Sequence, residues 1–130
     1  LDGELKAAKN DGVLTIEMPS GRTLAYFDIG NKGGWITRAA NPEGIPQHTY
    51  GAHLVENLIQ ATARDVFVHG ILMLESFGYR VMFHVHDEVV VDAPAEADPD
   101  HVVRLLTAVP HWAYGQPVAA EAEEAAHYKK

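Results

Sequence analysis

The sequence predicts an α+β fold in which antiparallel strands are backed by one long helix and a second short one. Three observations carry that prediction. Residues 13–29 and 79–92 are rich in β-branched and aromatic side chains around turn signals. An apolar stripe at three-and-four spacing runs through residues 49–77, and Asp98-Pro99 opens a shorter run of the same period.

Residues 13–18 (VLTIEM) alternate as a strand, Pro19-Ser20-Gly21 is turn chemistry, and residues 23–29 (TLAYFDI) form the second arm of a hairpin. Residues 30–47, with GNKGG at the start and prolines at 42 and 46, are expected to form a loop pinned by Trp35 and Ile36. Residues 1–48 are thus a β-hairpin and loop. From 49 to 78 a core helix is expected, with Ile59, Ala63, Val66, Phe67, Gly70, Ile71 and Leu74 facing a sheet and Gly78 ending it. Residues 79–93 read as a second hairpin, with residues 81, 83 and 85 apolar on one face and Ala93-Pro94 closing the return strand. In 98–130, Asp98 caps a covering helix lined by Val102, Leu105, Leu106 and Val109 and stopped by Pro110. Residues 116–122 are expected as a last strand beside the hairpin, followed by a loosely held tail.

The second hairpin carries the most informative residues, His84-Val85-His86-Asp87-Glu88, followed by three valines. A turn alone would favour Asn-Gly or Asp-Gly, and no glycine is present. Adjacent carboxylates suit a hard divalent cation such as Mg2+, which prefers oxygen ligands. A polar hairpin turn explains His86-Asp87-Glu88, taken alone, equally well. On the helix, Glu56, Gln60 and Arg64 recur every four residues, with Asn57 alongside and His53 a turn earlier. That stripe is either a solvated ladder or a contact surface.

Composition sets bounds. The 130 residues suit one domain with one modest core, and 47% hydrophobic content is ordinary for a soluble protein. No apolar run reaches spanning length and the first residues lack a secretion signal, so no membrane partner and a cytoplasmic location are expected. The absence of cysteine excludes disulfides and thiolate zinc sites. A net charge of -8 with ten Lys and Arg weighs against autonomous tight binding to nucleic acid. The first residue is Leu1 rather than Met, as in a chain cut from something longer.

Several segments together resemble family A (pol I-like) DNA polymerases, in particular the C-terminal palm region of the phage-type branch. Val85-His86-Asp87-Glu88-Val89-Val90-Val91 is similar to the family's motif C hairpin. The run from Tyr50 and Gly51 through Gln60, Ala61, Arg64 and Asp65 resembles the helix that carries its characteristic Gln. Ser20-Gly21-Arg22 with Asp28-Ile29 resembles its Gly-Arg strand, and Trp112-Ala113, Gln116-Pro117-Val118 and Tyr128-Lys129-Lys130 look like the phage-type tail.

The resemblance implies an antiparallel palm sheet containing the motif C hairpin. It also implies Mg2+-dependent addition of deoxynucleotides to a primer 3' end, using two metal ions about 3.5–4 Å apart. Asp87 and Glu88 would be the catalytic metal ligands supplied by this chain, with Glu88 directed away from Asp87 if strand alternation holds. Gln60, Arg64, His86 and Arg22 would contact or organise DNA. Where relatives carry Asn four residues before the Gln, this chain has Glu56 with Asn57 next to it, leaving open which faces DNA. The bland alternatives are a hairpin histidine bonded to backbone for His86 and a turn arginine in solution for Arg22.

Nothing in residues 1–79 looks like motif A or the motif B fingers helix. The isolated chain is therefore expected to be inactive, needing an upstream polypeptide with both motifs, primer-template DNA and deoxynucleoside triphosphates, within a bacterial or phage-infected cell. Surface left uncovered favours self-association. One rival is a noncatalytic assembly module retaining the palm fold. Another is a zinc hydrolase built on His84 and His86, with His53, His69 or His101 as further ligands.

Overall fold

The computed structural model describes residues 4–32, 35–39 and 46–128, with backbone only at positions 28, 30–32, 35–39 and 46–48. The chain packs as two compact units, Leu1–Ala63 and Arg64–Lys130, whose boundary falls inside the long helix. The architecture is α+β, with antiparallel sheets of five and two strands.

In the first unit, β1 (Lys6–Asn10), β2 (Val13–Glu17), β3 (Thr23–Lys32), β4 (Trp35–Ala39) and β5 (Pro46–Thr49) follow one another as an antiparallel meander. Asp11 and Gly12 join β1 to β2 with φ of +47° and +81°, the two positive values a tight two-residue hairpin turn requires. Cross-strand partners share a sheet face, so the pairs Leu14↔Tyr26 and Ile16↔Leu24 place an apolar set on one side. Ile16, Met18, Tyr26 and Thr49 are buried. The predicted strands at 13–18 and 23–29 are present. The predicted loop over 30–47 is corrected: the backbone of β4 and β5 pairs through Thr37↔His48 and Arg38↔Gln47. The glycines and prolines that suggested a loop leave room for a four- and a five-residue strand. The proposed anchoring by Trp35 and Ile36 lies outside the described side chains.

Helix α1 (Gly51–Ser76) confirms the long helix. Its end is set by Gly78 at φ +86°, with Gly78 N–H donating to the Glu75 carbonyl at 3.0 Å and Tyr79 N–H to that of Leu74 at 3.1 Å. This paired capping pattern satisfies carbonyls that have no partner within the helix. The predicted apolar stripe holds from Val66 onward, with Phe67 and Ile71 half-buried, and departs at its first two positions. Val66, Gly70 and Leu74 are buried, but Ile59 is 65% exposed and Ala63 is also exposed. Burial instead follows positions 58, 62, 66, 70 and 74, and it recruits Thr62, whose hydroxyl donates back to the Leu58 carbonyl at 2.9 Å.

The second unit holds β6 (Arg80–Val85), β7 (Glu88–Asp92), α2 (Pro99–Leu106) and a short 3-10 turn at His111–Ala113. The β6–β7 hairpin forms its own two-stranded sheet rather than extending the larger one. At Gly70 a close helix approach is visible, since a Cβ there would fall on the carbonyl oxygen of Leu106 in α2. Val66, Leu74, Leu105 and Ala113 are buried in this unit, and Trp112 is half-buried.

Asp98 caps α2 as expected, its carboxylate accepting from Asp100 N–H at 3.0 Å and from Arg104 Nη2 at 3.2 Å, with Pro99 following. Asp98→Ala is expected to cost about 1 kcal/mol in urea unfolding, mostly from the cap, since the exposed ion pair contributes little. An unchanged midpoint would show that the cap is not made in solution. The helix stops at Leu106 rather than continuing to Val109. Thr107 caps the end, its N–H and hydroxyl both on the Val103 carbonyl at 2.9 and 2.7 Å, after which Ala108 N–H shifts to the Leu105 carbonyl at 3.2 Å, and Pro110 disfavours helical geometry at the residue before it. The expected strand at 116–122 is absent, because Pro117 lacks a ladder donor and this segment is almost wholly exposed. No helix among the described residues is long and apolar enough to cross a membrane.

Candidate functional site

The candidate site is the tip of the β6–β7 hairpin. Val85 pairs with Glu88, so His86 and Asp87 form a two-residue connection. His86 has φ +54°, a left-handed value uncommon for a residue other than glycine. Holding a side chain there costs about 1–2 kcal/mol. His86→Gly is therefore expected to raise stability by about 0.5–1 kcal/mol after glycine's greater unfolded-state entropy is subtracted. A lowered denaturant midpoint in that variant would show that the imidazole itself stabilises the turn.

Asp87 and Glu88 are both exposed, hard carboxylates on adjacent residues. Asp87 belongs to the connection, so strand alternation does not set its direction. Glu88 belongs to β7. Its cross-strand partner places it on the face shared by Phe83, Val85 and Val90.

The hairpin departs from the predicted alternation at one point. Val81 pairs with Val91 and Phe83 with Val90, which leaves Met82 as an extra residue in β6. The bulge moves Val81 to the face of His84, Val89 and Val91. Positions 81, 83 and 85 therefore do not share a face. His84 sits against the second half of α1, where its Nε2 lies 3.0 Å from Arg64 Nη2 and its ring meets that of Phe67 edge-on at 6.0 Å. The Arg64 guanidinium also lies 5.5 Å from the centre of the Phe67 ring. On the opposite face, the Phe83 ring meets Tyr128 edge-on at 5.2 Å, and Tyr128 Oη donates to Glu88 Oε2 at 3.3 Å. Partial desolvation, then the charge of Glu88 and the hydrogen bond to it, hold the Tyr128 phenol above its ordinary pKa.

The other candidate residues are distributed between the two units. In the first, Gln60 Nε2 donates to Glu56 Oε1 at 3.1 Å on an exposed face of α1. Asn57 turns inward, half-buried, with its Nδ2 3.4 Å from Tyr26 Oη on β3. Of the two residues left open by the sequence, Glu56 is therefore the one exposed beside Gln60. Arg22 is not a loose turn arginine, since its Nη2 donates to the Ala61 carbonyl of α1 at 2.8 Å. That bond ties the tight turn at residues 18–22 to the helix. Tyr50 is 57% exposed rather than packed.

Among the described residues, no group of three or more His, Asp or Glu side chains is placed to hold a metal ion. The zinc arrangement weighed from the sequence is therefore not assembled, and His84 is engaged by Arg64 instead. The Asp87–Glu88 pair suits Mg2+ in a different way, because that ion is held by one or two carboxylates and keeps several waters. Sequence reasoning missed Tyr128 as part of this site. Its one signal is an aromatic residue amid an otherwise alanine- and glutamate-rich segment.

Comparison with known proteins agrees with part of the resemblance. The chain is 36% identical over 131 aligned residues to a DNA polymerase of Bacillus phage SP02, an alignment covering 92% of this chain. It spans a fifth of that relative's length. The chain is thus homologous to part of a phage DNA polymerase. No family model matches it, and no solved structure does so.

Proposed function

We propose that this chain is the palm segment of a phage-type family A DNA polymerase and supplies its motif C carboxylates. The observation that carries the reading is the position of Asp87, at the tip of a two-stranded hairpin within a stretch homologous to a phage DNA polymerase. In the complete enzyme Asp87 and Glu88 would hold Mg2+, which supplies charge stabilisation for attack of a primer 3'-hydroxyl on an incoming deoxynucleoside triphosphate. The chain's own contribution is to present two carboxylates at the end of a rigid strand pair. Its acidic net charge fits a part that leaves most phosphate contacts to the rest of the enzyme.

Gln60, with Glu56 bonded to it, offers an exposed polar surface for the duplex near the primer terminus. Arg64 and Arg22 act mainly in organising the palm, through His84 and Ala61 respectively. Asn57 supports that surface from the inner side of α1. His86 is held by its strained turn beside Asp87, and we assign it to the primer terminus. The work takes place in the cytoplasm of a bacterial or phage-infected cell.

Template-directed primer extension by the complete polypeptide that carries this segment tests the reading. Incorporation that requires Mg2+ is the expected result. A folded complete polypeptide that binds primer-template but adds no nucleotide would favour a noncatalytic module instead.

A further inference from the structure

We propose that Tyr128 is a positioning residue for Glu88, latching residues 121–128 over one face of the catalytic hairpin. The inference rests on the polymerase reading and assigns a residue that the motif does not include. Two contacts on one hairpin face carry it. The Tyr128 ring packs edge-on against Phe83, with centroids 5.2 Å apart and planes at 85°. Its hydroxyl reaches Glu88 Oε2 at 3.3 Å. Phe83 and Glu88 lie on the same face because Phe83 pairs with Val90 and Val85 pairs with Glu88.

The direction of the hydrogen bond is fixed by chemistry. An ionised carboxylate only accepts, so the phenol must donate. One carboxylate oxygen is thereby held while Oε1 stays available on an exposed side chain. A glutamate at a hairpin end otherwise samples several rotamers, and ordering it in advance removes an entropic cost from each binding event. Phe83 supplies the surface against which the ring packs and from which the hydroxyl projects. The 121–128 segment has no regular secondary structure, and Tyr128 couples it to the carboxylate through a hydrogen bond.

The test separates the ring contact from the hydrogen bond. Tyr128→Phe keeps the first and removes the second. In the complete polypeptide, Tyr128→Phe is expected to raise the Mg2+ concentration needed for half-maximal primer extension about three- to tenfold, the range of one lost hydrogen bond. The extension rate at saturating Mg2+ and the melting temperature should stay near those of the parent. In a Glu88→Ala background, which removes the acceptor, the same change should add little further, because the two residues act as one unit.

An unchanged Mg2+ dependence in Tyr128→Phe would overturn the proposal, as would a full additional shift in the Glu88→Ala background. A readout independent of activity is the NMR cross-relaxation between the Phe83 and Tyr128 rings in this chain. It is expected in the parent and in Glu88→Ala, and its absence from the folded parent would overturn the latch whatever the enzyme does. Parent-level extension by Asp87→Ala would instead defeat the polymerase reading, and with it the role of Tyr128, while leaving the ring contact in place.

Discussion

Replacing Asp87 with alanine is expected to lower Mg2+-dependent primer extension by the complete polypeptide by about a thousandfold. A bound metal contributes several kcal/mol of charge stabilisation in the transition state, and each 1.36 kcal/mol is about tenfold in rate. Asp87 is exposed in the two-residue connection of the hairpin. Its removal should therefore alter unfolding free energy by no more than about 0.5 kcal/mol. A large loss of activity with unchanged stability distinguishes a lost ligand from a damaged fold. Steady-state extension assays beside thermal melts of the same preparations check both halves. Parent-level extension by a folded Asp87→Ala enzyme would remove the hairpin tip from the chemistry.

The largest stability effect is expected at Gly70. In the interior of a helix, Gly→Ala ordinarily gains about 1 kcal/mol through backbone propensity. Here an added Cβ would fall on the Leu106 carbonyl oxygen, with the Leu106 carbonyl carbon and Cα at only 3.0 and 3.1 Å. These are backbone atoms at the end of α2, so no flexible side chain can swing aside. Overpacking of this kind costs about 1–3 kcal/mol or more, and α2 must move away from α1 to relieve it. Gly70→Ala should lose about 2–3 kcal/mol net, and Gly70→Val more, as read from denaturant midpoints. A stabilised Gly70→Ala variant would show that the two helices do not approach so closely.

Elements with a dedicated terminus signal were legible in the sequence. Gly78 specified the end of α1, and Asp98-Pro99 the start of α2, because each meets a need of a helix end that few other residues meet. The β6–β7 hairpin was readable from its valines and from Pro94. The opening Asp11-Gly12 turn was just as strong a signal, yet β1 went unread because its own residues, KAAKN, are polar, exposed and poor in β-formers. Strands β4 and β5 were hidden by the glycines and prolines among residues 30–47, which disfavour strand without excluding short ones.

What pattern could not supply was phase. On α1, Ile59 fitted an apolar stripe equally well on either side of the buried line, and tertiary packing chose positions 58 and 62. In β6, one extra residue at Met82 shifted Val81 to the other face. No period-2 reading contains that bulge. For the site, adjacent carboxylates at a hairpin tip were visible at once. The burial of Asn57 against Tyr26 and the reach of Tyr128 back to Glu88 depend on contacts across 31 and 40 residues, which local patterning does not encode.

The central claim is that this segment holds part, and only part, of a polymerase centre. Primer extension with Mg2+ tests it most directly when this chain alone, the polypeptide carrying motifs A and B alone, the two mixed, and the mixture bearing Asp87→Ala are run in parallel. Extension by the intact mixture, none by either part alone, and about a thousandfold less by the Asp87→Ala mixture, is the predicted result. Extension by this chain alone, or equal extension by the two mixtures, would contradict it.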